Sequence, residues 1–287
     1  MAFTRRSFLK ASAAGFGAAV LSLGLTGCRF DDDDDTPVSF DHGVASGDPL
    51  SDRLIIWTRV TPLDVTTKSL KVQWQAATDQ SFTNIVHDGE THISDTTDFT
   101  LKVDLQGLDA NTVYYYRFNA HGKTSPIGQG KTLPVGAVDQ VKLAVVSCAN
   151  YPAGYFHVYG EIAKQSDLDA VLHLGDYIYE YSNTGYATED AAQLDRLLPL
   201  DNSSEIIALT DYRKRYANYR LDADLQAAHS HCAFITVWDD HEITNDTWRE
   251  GAENHNEGEG EFSQRKLNAL QAYFEWMPIR NVADKER

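Results

Sequence analysis

Positive charge is scarce in this 287-residue chain: 25 lysines and arginines stand against 42 aspartates and glutamates, a net charge of -17. That balance excludes the basic patches with which nucleic-acid grooves neutralise phosphates. It also repels small anions over long range, so any phosphate chemistry needs locally concentrated positive charge, most simply metal ions. Cysteine is nearly absent, at three residues: Cys28, Cys148 and Cys232. No internal repeat is present, and no serine lies in a G-x-S-x-G context, so nothing calls for a covalent serine intermediate.

What is present begins with MAFTRRSFLKASAAGFGAAVLSLGLTGC. A twin arginine (Arg5, Arg6), an apolar run from Ala11 to Leu25 and small residues before Cys28 mark residues 1–27 as a targeting segment. TRRSFLK resembles a twin-arginine signal and Leu25-Thr26-Gly27-Cys28 resembles a bacterial lipobox, which implies export to the periplasm or cell surface and a lipid on Cys28 as the only membrane attachment. Residues 28–39 carry Asp31 to Asp35, a self-repelling run expected to be a solvated, flexible tether. Loss of residues 1–27 removes three positive charges and takes the net charge from -17 to -20. In an oxidising compartment a Cys148–Cys232 disulfide is the plain reading of the two remaining thiols.

With 42% hydrophobic residues, the chain can bury one large core or two smaller ones. Residues 40–134 read as short strands broken by turns: 53–60, 69–77, 100–106 and 112–120, the pattern of a β-sandwich. Leu108 six residues before Tyr114 resembles the tyrosine corner of fibronectin type III domains, giving Tyr114 a structural role. Pro134 to Gln140 punctuates the chain, and residues 140–287 change to alternating strands and helices. Strands are expected at 143–147, 170–174 and 234–238, and helices at 155–165, between 210 and 228, and at 262–276. Such units build a parallel or mixed sheet covered by helices.

Ligands in open α/β sheets gather at the carboxyl ends of strands. Here LAVVS leads to Cys148-Ala149-Asn150, AVLHL to Gly175-Asp176-Tyr177-Ile178-Tyr179-Glu180, and FITVW to Asp239-Asp240-His241-Glu242. Each residue alone has an ordinary explanation as a turn cap, a surface imidazole or a small hydrophobe. Together, a thiol, a phenol, carboxylates and an imidazole on one sheet edge are costly to bury without a cation. His229-Ser230-His231-Cys232 and His173 read as packing, and Tyr151, Tyr155 and Tyr159 as core and rim. EGAENHNEGEGE (250–261) reads as a mobile solvated loop, with a lid as its functional alternative.

Gly175-Asp176-x-x-Tyr179 is similar to the GD-x-x-Y motif of purple-acid-phosphatase-type metallophosphoesterases. Together with SCAN, WDDHEITND, AYFEWMPIR, GVASGDP and IIWTRV, it resembles the alkaline phosphatase D (PhoD-like) family over nearly all of the chain beyond the leader. The resemblance implies a fibronectin III-like all-β sandwich followed by an α/β metallophosphoesterase domain of αββα type. It implies Cys148, Asp176, Tyr179 and Asp240 as metal ligands, with Asp176 bridging, and His241 beside Asp240 as hydrogen-bond donor or general acid. Asn150 and Asn245 are added as polar contacts, and Cys148 becomes a thiolate ligand in preference to a disulfide partner.

Thiolate, phenolate and carboxylate suit Fe3+, with a divalent ion such as Ca2+ beside it. Two metals roughly 3.5–4 Å apart would clamp phosphate oxygens and turn water into an attacking hydroxide, hydrolysing a phosphomonoester or diester. No G-H-x-H or G-D-x-H segment follows Asn245, and the only later histidine is His255. The expectation is therefore the N-terminal part of such an enzyme, truncated and of doubtful activity alone, with an open sheet edge and exposed apolar surface. The rival reading is a non-catalytic surface lipoprotein that binds a partner through its sandwich.

Overall fold

The computed structural model describes residues 36–280. The targeting segment, Cys28 and Asp31–Asp35 lie outside the described residues, as do residues 281–287. In chain order the strands are β1 (Val38–Ser39), β2 (Val44–Gly47), β3 (Arg53–Arg59), β4 (Thr61–Pro62), β5 (Ser69–Ala77), β6 (Ile85–Ser94), β7 (Thr100–Gln106), β8 (Val113–Ala120), β9 (Lys123–Thr124), β10 (Gly128–Lys131), β11 (Leu143–Val146), β12 (Ala170–His173) and β13 (Phe234–Thr236). The helices are α1 (His157–Ala163), α2 (Leu209–Arg220), α3 (Ala223–His231) and α4 (Phe262–Trp276).

One sheet is antiparallel, ordered β10-β8-β5-β6 with β9 beside β8. β1 and β4 form a two-stranded sheet, and a third, six-stranded sheet is mixed: β11-β12-β13 run parallel and join β2-β3-β7 through the parallel pair Phe234 and Gly47. β2, β3 and β7 from the first part of the chain and the three strands beyond residue 140 thus share one sheet. Gly47 makes the seam possible, because a Cβ there would lie 2.2 Å from the Pro278 carbonyl oxygen and 2.7 Å from that of Phe234. No residue but glycine tolerates that approach.

β3 shows why this sheet serves two cores. Its sequence RLIIWTR is apolar on both faces rather than alternating, the pattern of a strand covered on both sides. Leu54 and Ile56 face the antiparallel sheet, with Leu70, Val72, Tyr116 and Phe118. Trp57 faces the other way into a second core with Val171, Tyr216, Phe234 and Trp276. Its indole Nε1 donates to the Glu275 carbonyl at 2.8 Å, and the Arg220 guanidinium lies 4.3 Å over its ring. The two cores meet back to back across one layer.

Among the described residues the parallel strands are covered on one face only. Ala144, Val146, Val171 and Phe234 join the second core. On the opposite face Val145 pairs with Leu172 and Leu172 with Ile235, and the neighbours Leu143, Val145, Leu174 and Val237 are 42%, 59%, 52% and 51% exposed. β11 has β12 as its single partner among the described residues.

Candidate metal centre

Strand register brings the candidate residues to one edge. Val146 pairs with His173 and His173 with Thr236, so the loops after β11, β12 and β13 leave the sheet level with one another. Backbone bonds lace the first two loops: Cys148 N–H to the Gly175 carbonyl at 3.2 Å and Ala149 N–H to that of Asp176 at 2.8 Å. Cys148 and Asp176 hold left-handed backbone conformations, at φ 59° and 56°, and Gly175 lies between them in space at φ 105°. Such conformations persist where surroundings over-determine them, as at binding sites.

Asp176 is the meeting point. Its Oδ2 accepts from the Cys148 thiol at 3.3 Å and from the Tyr179 hydroxyl at 3.2 Å. Its Oδ1 is buried without a hydrogen-bond partner. Asp176, Asp240 and His241 each offer a ligand atom, all within 4.8 Å of one another. Asp240 is fixed by its own loop, Oδ1 accepting from His241 N–H at 3.0 Å and Oδ2 from Asp246 N–H. The His241 ring stacks on Tyr179, with centroids 4.2 Å apart.

The electrostatics are those of acids held towards their neutral forms. Burial raises the Asp176 carboxyl above its ordinary range, and Asp240 and Asp239 add to the rise against His241 and the thiol bond. The largest influences on it besides burial are His241, Cys148, Asp240 and Asp239. Burial, then Asp176 and Cys148, push the Tyr179 phenol up as well. A cation in the site would oppose these rises, and an orphaned carboxylate oxygen beside a thiol and a phenol is a donor set that fits one.

Asn150 and Asn245 sit at the rim with their amides committed elsewhere. The Asn150 amide reaches the Tyr186 carbonyl at 3.4 Å, and that of Asn245 donates to Glu253 at 2.8 Å. Cys148 and Cys232 are both free, the first exposed and the second buried, its thiol pushed up to about 11 by burial.

Two glutamates within the same motifs hold the centre together. Glu242 is fully buried and accepts three backbone N–H bonds, from Asp176 at 3.0 Å, Tyr177 at 2.7 Å and Asp239 at 2.8 Å. It clamps the β12 and β13 loops, although burial still pushes its carboxyl up to about 7. Glu180, equally buried, would be raised by burial, but bonds from His241, Asn254 and Asn245 hold it below its ordinary value. His241 is raised in turn: burial opposes the rise, and Glu180, Asp176 and Asp240 together outweigh it.

The remaining candidates are absorbed by packing. His229 Nε2 bonds the Tyr177 hydroxyl at 2.8 Å and its ring stacks 3.8 Å from Phe234, while His231 Nε2 meets the Gln165 carbonyl at 2.8 Å. Arg196 lies 3.5 Å over Tyr151, and Tyr159 bonds His173 at 3.1 Å. Segment 250–261 is pinned from beneath: buried Arg265 binds the Asn254 carbonyl at 2.8 Å and Glu259 at 3.1 Å.

Comparison with known proteins agrees along the whole described length. The N-terminal domain of PhoD-like phosphatase matches residues 27–134, and PhoD-like phosphatase itself matches residues 143–287. Alkaline phosphatase D of Bacillus subtilis (strain 168) is 40% identical over 292 residues, covering 97% of this chain and 48% of that protein. A solved structure of PhoD superposes with a TM-score of 0.76 at 40% identity, covering 84% of this chain and 46% of that one. The chain therefore spans about half the length of these relatives. With its sheet and helices shared with PhoD and residues 143–287 matched throughout, the chain belongs to the PhoD-like phosphatase family.

Proposed function

We propose that the chain carries a metal centre for hydrolysis of phosphate esters, in which Cys148, Asp176, Tyr179 and Asp240 would hold the ions. The observation that carries this is the convergence on Asp176 Oδ2 of the Cys148 thiol and the Tyr179 phenol, with Asp240 and His241 alongside. The anionic thiolate and phenolate favour Fe3+, and the carboxylates favour a divalent partner such as Ca2+. Cations held by these residues would supply locally concentrated positive charge, able to acidify a water and to neutralise phosphate oxygens. On this reading His241 would donate a hydrogen bond or a proton to the ester, and the His241 and Asp246 amides hold Asp240 beside it.

The reading extends to the domains. Residues 40–134 are proposed as a fibronectin III-like sandwich, supported by buried Tyr114, whose hydroxyl accepts from Asp109 N–H at 2.8 Å in the manner of a tyrosine corner. Residues 140–287 are proposed as part of a metallophosphoesterase domain of αββα type. Twin-arginine export, a lipid on Cys28 and a periplasmic or cell-surface location complete the proposal, resting on residues 1–28 alone. Phosphate esters are its partners, and nucleic acid is not.

Metal analysis of the purified chain is the test. Stoichiometric iron with a visible charge-transfer band is expected; Tyr179→Phe should shift or bleach the band, and Asp176→Ala should lower metal affinity roughly 100-fold or more and abolish aryl phosphate turnover. A colourless, metal-free, folded protein would sink the proposal and leave the binding-lipoprotein reading.

A further inference from the structure

We propose that Glu180 is a positioning residue that holds the His241 imidazole in the Nδ1–H tautomer and leaves Nε2 as its working nitrogen. Glu180 has no exposed surface, and its Oε2 lies 2.8 Å from His241 Nδ1. An ionised carboxylate only accepts hydrogen bonds, so Nδ1 carries the proton. The opposite tautomer would set a lone pair against the carboxylate in a buried site, leaving both groups unsatisfied.

The carboxylate is itself held from the other side. Its Oε1 accepts from Asn245 N–H at 2.8 Å and from the Asn254 amide at 2.8 Å. The Thr244 hydroxyl, 3.2 Å from the same oxygen, has one proton and a closer acceptor in the Asn254 carbonyl at 2.6 Å. Among the described residues His241 is therefore the single partner of Oε2, and the ring cannot rotate without orphaning it.

The ring lies against Tyr179 at 4.2 Å and Tyr181 at 5.6 Å, which fixes its plane. Nε2 makes no hydrogen bond among the described residues, and 11% of the side chain remains exposed. In the Nδ1–H tautomer Nε2 offers its lone pair to a metal, and only the doubly protonated imidazolium could donate from Nε2 to a phosphate; in both cases Glu180 sets Nε2 as the working nitrogen. The anchoring Asn254 lies in the acidic segment pinned by Arg265, so that segment also supports the imidazole.

The link to metal and turnover rests on the phosphoesterase reading; the tautomer does not. Long-range proton–nitrogen correlation on the histidine-labelled full chain at alkaline pH, with His241 assigned by the signals lost in His241→Gln, reads the tautomer directly. A protonated Nδ1 and a bare Nε2 are expected in the unmodified chain. Glu180→Ala should move the population towards Nε2–H and lower metal affinity roughly 10- to 100-fold, and Glu180→Gln, which keeps an acceptor, should restore much of both. An Nε2–H signal in the unmodified chain, or a tautomer unchanged in folded Glu180→Ala, overturns the assignment. A metal-free chain with protonated Nδ1 overturns the metal reading and upholds the assignment.

Discussion

At the scale of single residues, the closeness of the β12 and β13 loops is set by a glycine. Gly175 sits at φ 105°, and a Cβ there would lie 2.5 Å from the Asp239 backbone nitrogen. The same nitrogen donates to Glu242, which also binds the Asp176 and Tyr177 amides, so the loops cannot part without breaking the clamp that orders them. Gly175→Ala combines left-handed strain with a backbone clash and should destabilise the fold by at least about 2 kcal/mol. Urea unfolding would read this as a lower midpoint at unchanged slope. An unaltered midpoint would show that the loops have slack, and the clamp would then not be what positions Asp176.

At the scale of elements, the buried histidine of β12 couples strand to helix and ties stability to pH. Gly175 N–H donates to His173 Nδ1 at 3.3 Å, so Nε2 carries the proton and donates to the Tyr159 hydroxyl of α1 at 3.1 Å. Burial lowers the His173 pKa from 6.5 to about 4. Above pH 6.5 neither the folded nor the unfolded chain protonates it; below, the unfolded chain gains a proton that the folded chain refuses. Stability therefore falls with pH from 6.5 towards 4, by about 2 kcal/mol at pH 5 from this residue. In His173→Gln the slope of unfolding free energy against pH should be smaller by about 1.4 kcal/mol per unit over that range. An identical slope would mean that His173 already protonates in the fold.

Those elements were legible where burial imposes a period. The strands expected at 53–60, 69–77, 100–106 and 112–120 appear as Arg53–Arg59, Ser69–Ala77, Thr100–Gln106 and Val113–Ala120, and the helix at 262–276 as Phe262–Trp276. β6, IVHDGETHIS, was illegible because it is an edge strand whose charged and polar residues carry no apolar alternation. Short β2 and β10, with sequences VASG and GQGK, also lack a pattern, being set by their neighbours. At the site, Cys148, Asp176 and Asp240 stood out because chemically active side chains followed apolar runs. Glu180 and Glu242 lie in the same motifs, yet what they do depends on partners 61 to 66 residues distant in the chain and on backbone amides, neither of which leaves a spacing to read.

At the scale of the whole molecule, the change of pattern near residue 134 suggests two folding units, whereas the described contacts tie them together. β3 and β7 belong to the sandwich by sequence, yet their outer face is covered by α4 and the residues after it. Lys102 donates to the Phe274 and Ile279 carbonyls, Arg280 forms a two-pronged ion pair with Asp104 at 2.9 and 3.1 Å, and Trp276 Nε1 meets Asp98 at 3.2 Å. Separating the units would bare Trp57 and Trp276, each fully buried, and such loss is comparable to the roughly 3–5 kcal/mol lost when a buried tryptophan is truncated. The full chain should consequently unfold in one step, with far-ultraviolet circular dichroism and tryptophan fluorescence tracing the same denaturant curve. Trp57→Ala should lower both curves together by several kcal/mol. Two separated transitions, with Trp57→Ala moving one of them alone, would show that the shared sheet joins the halves in space without joining them in energy.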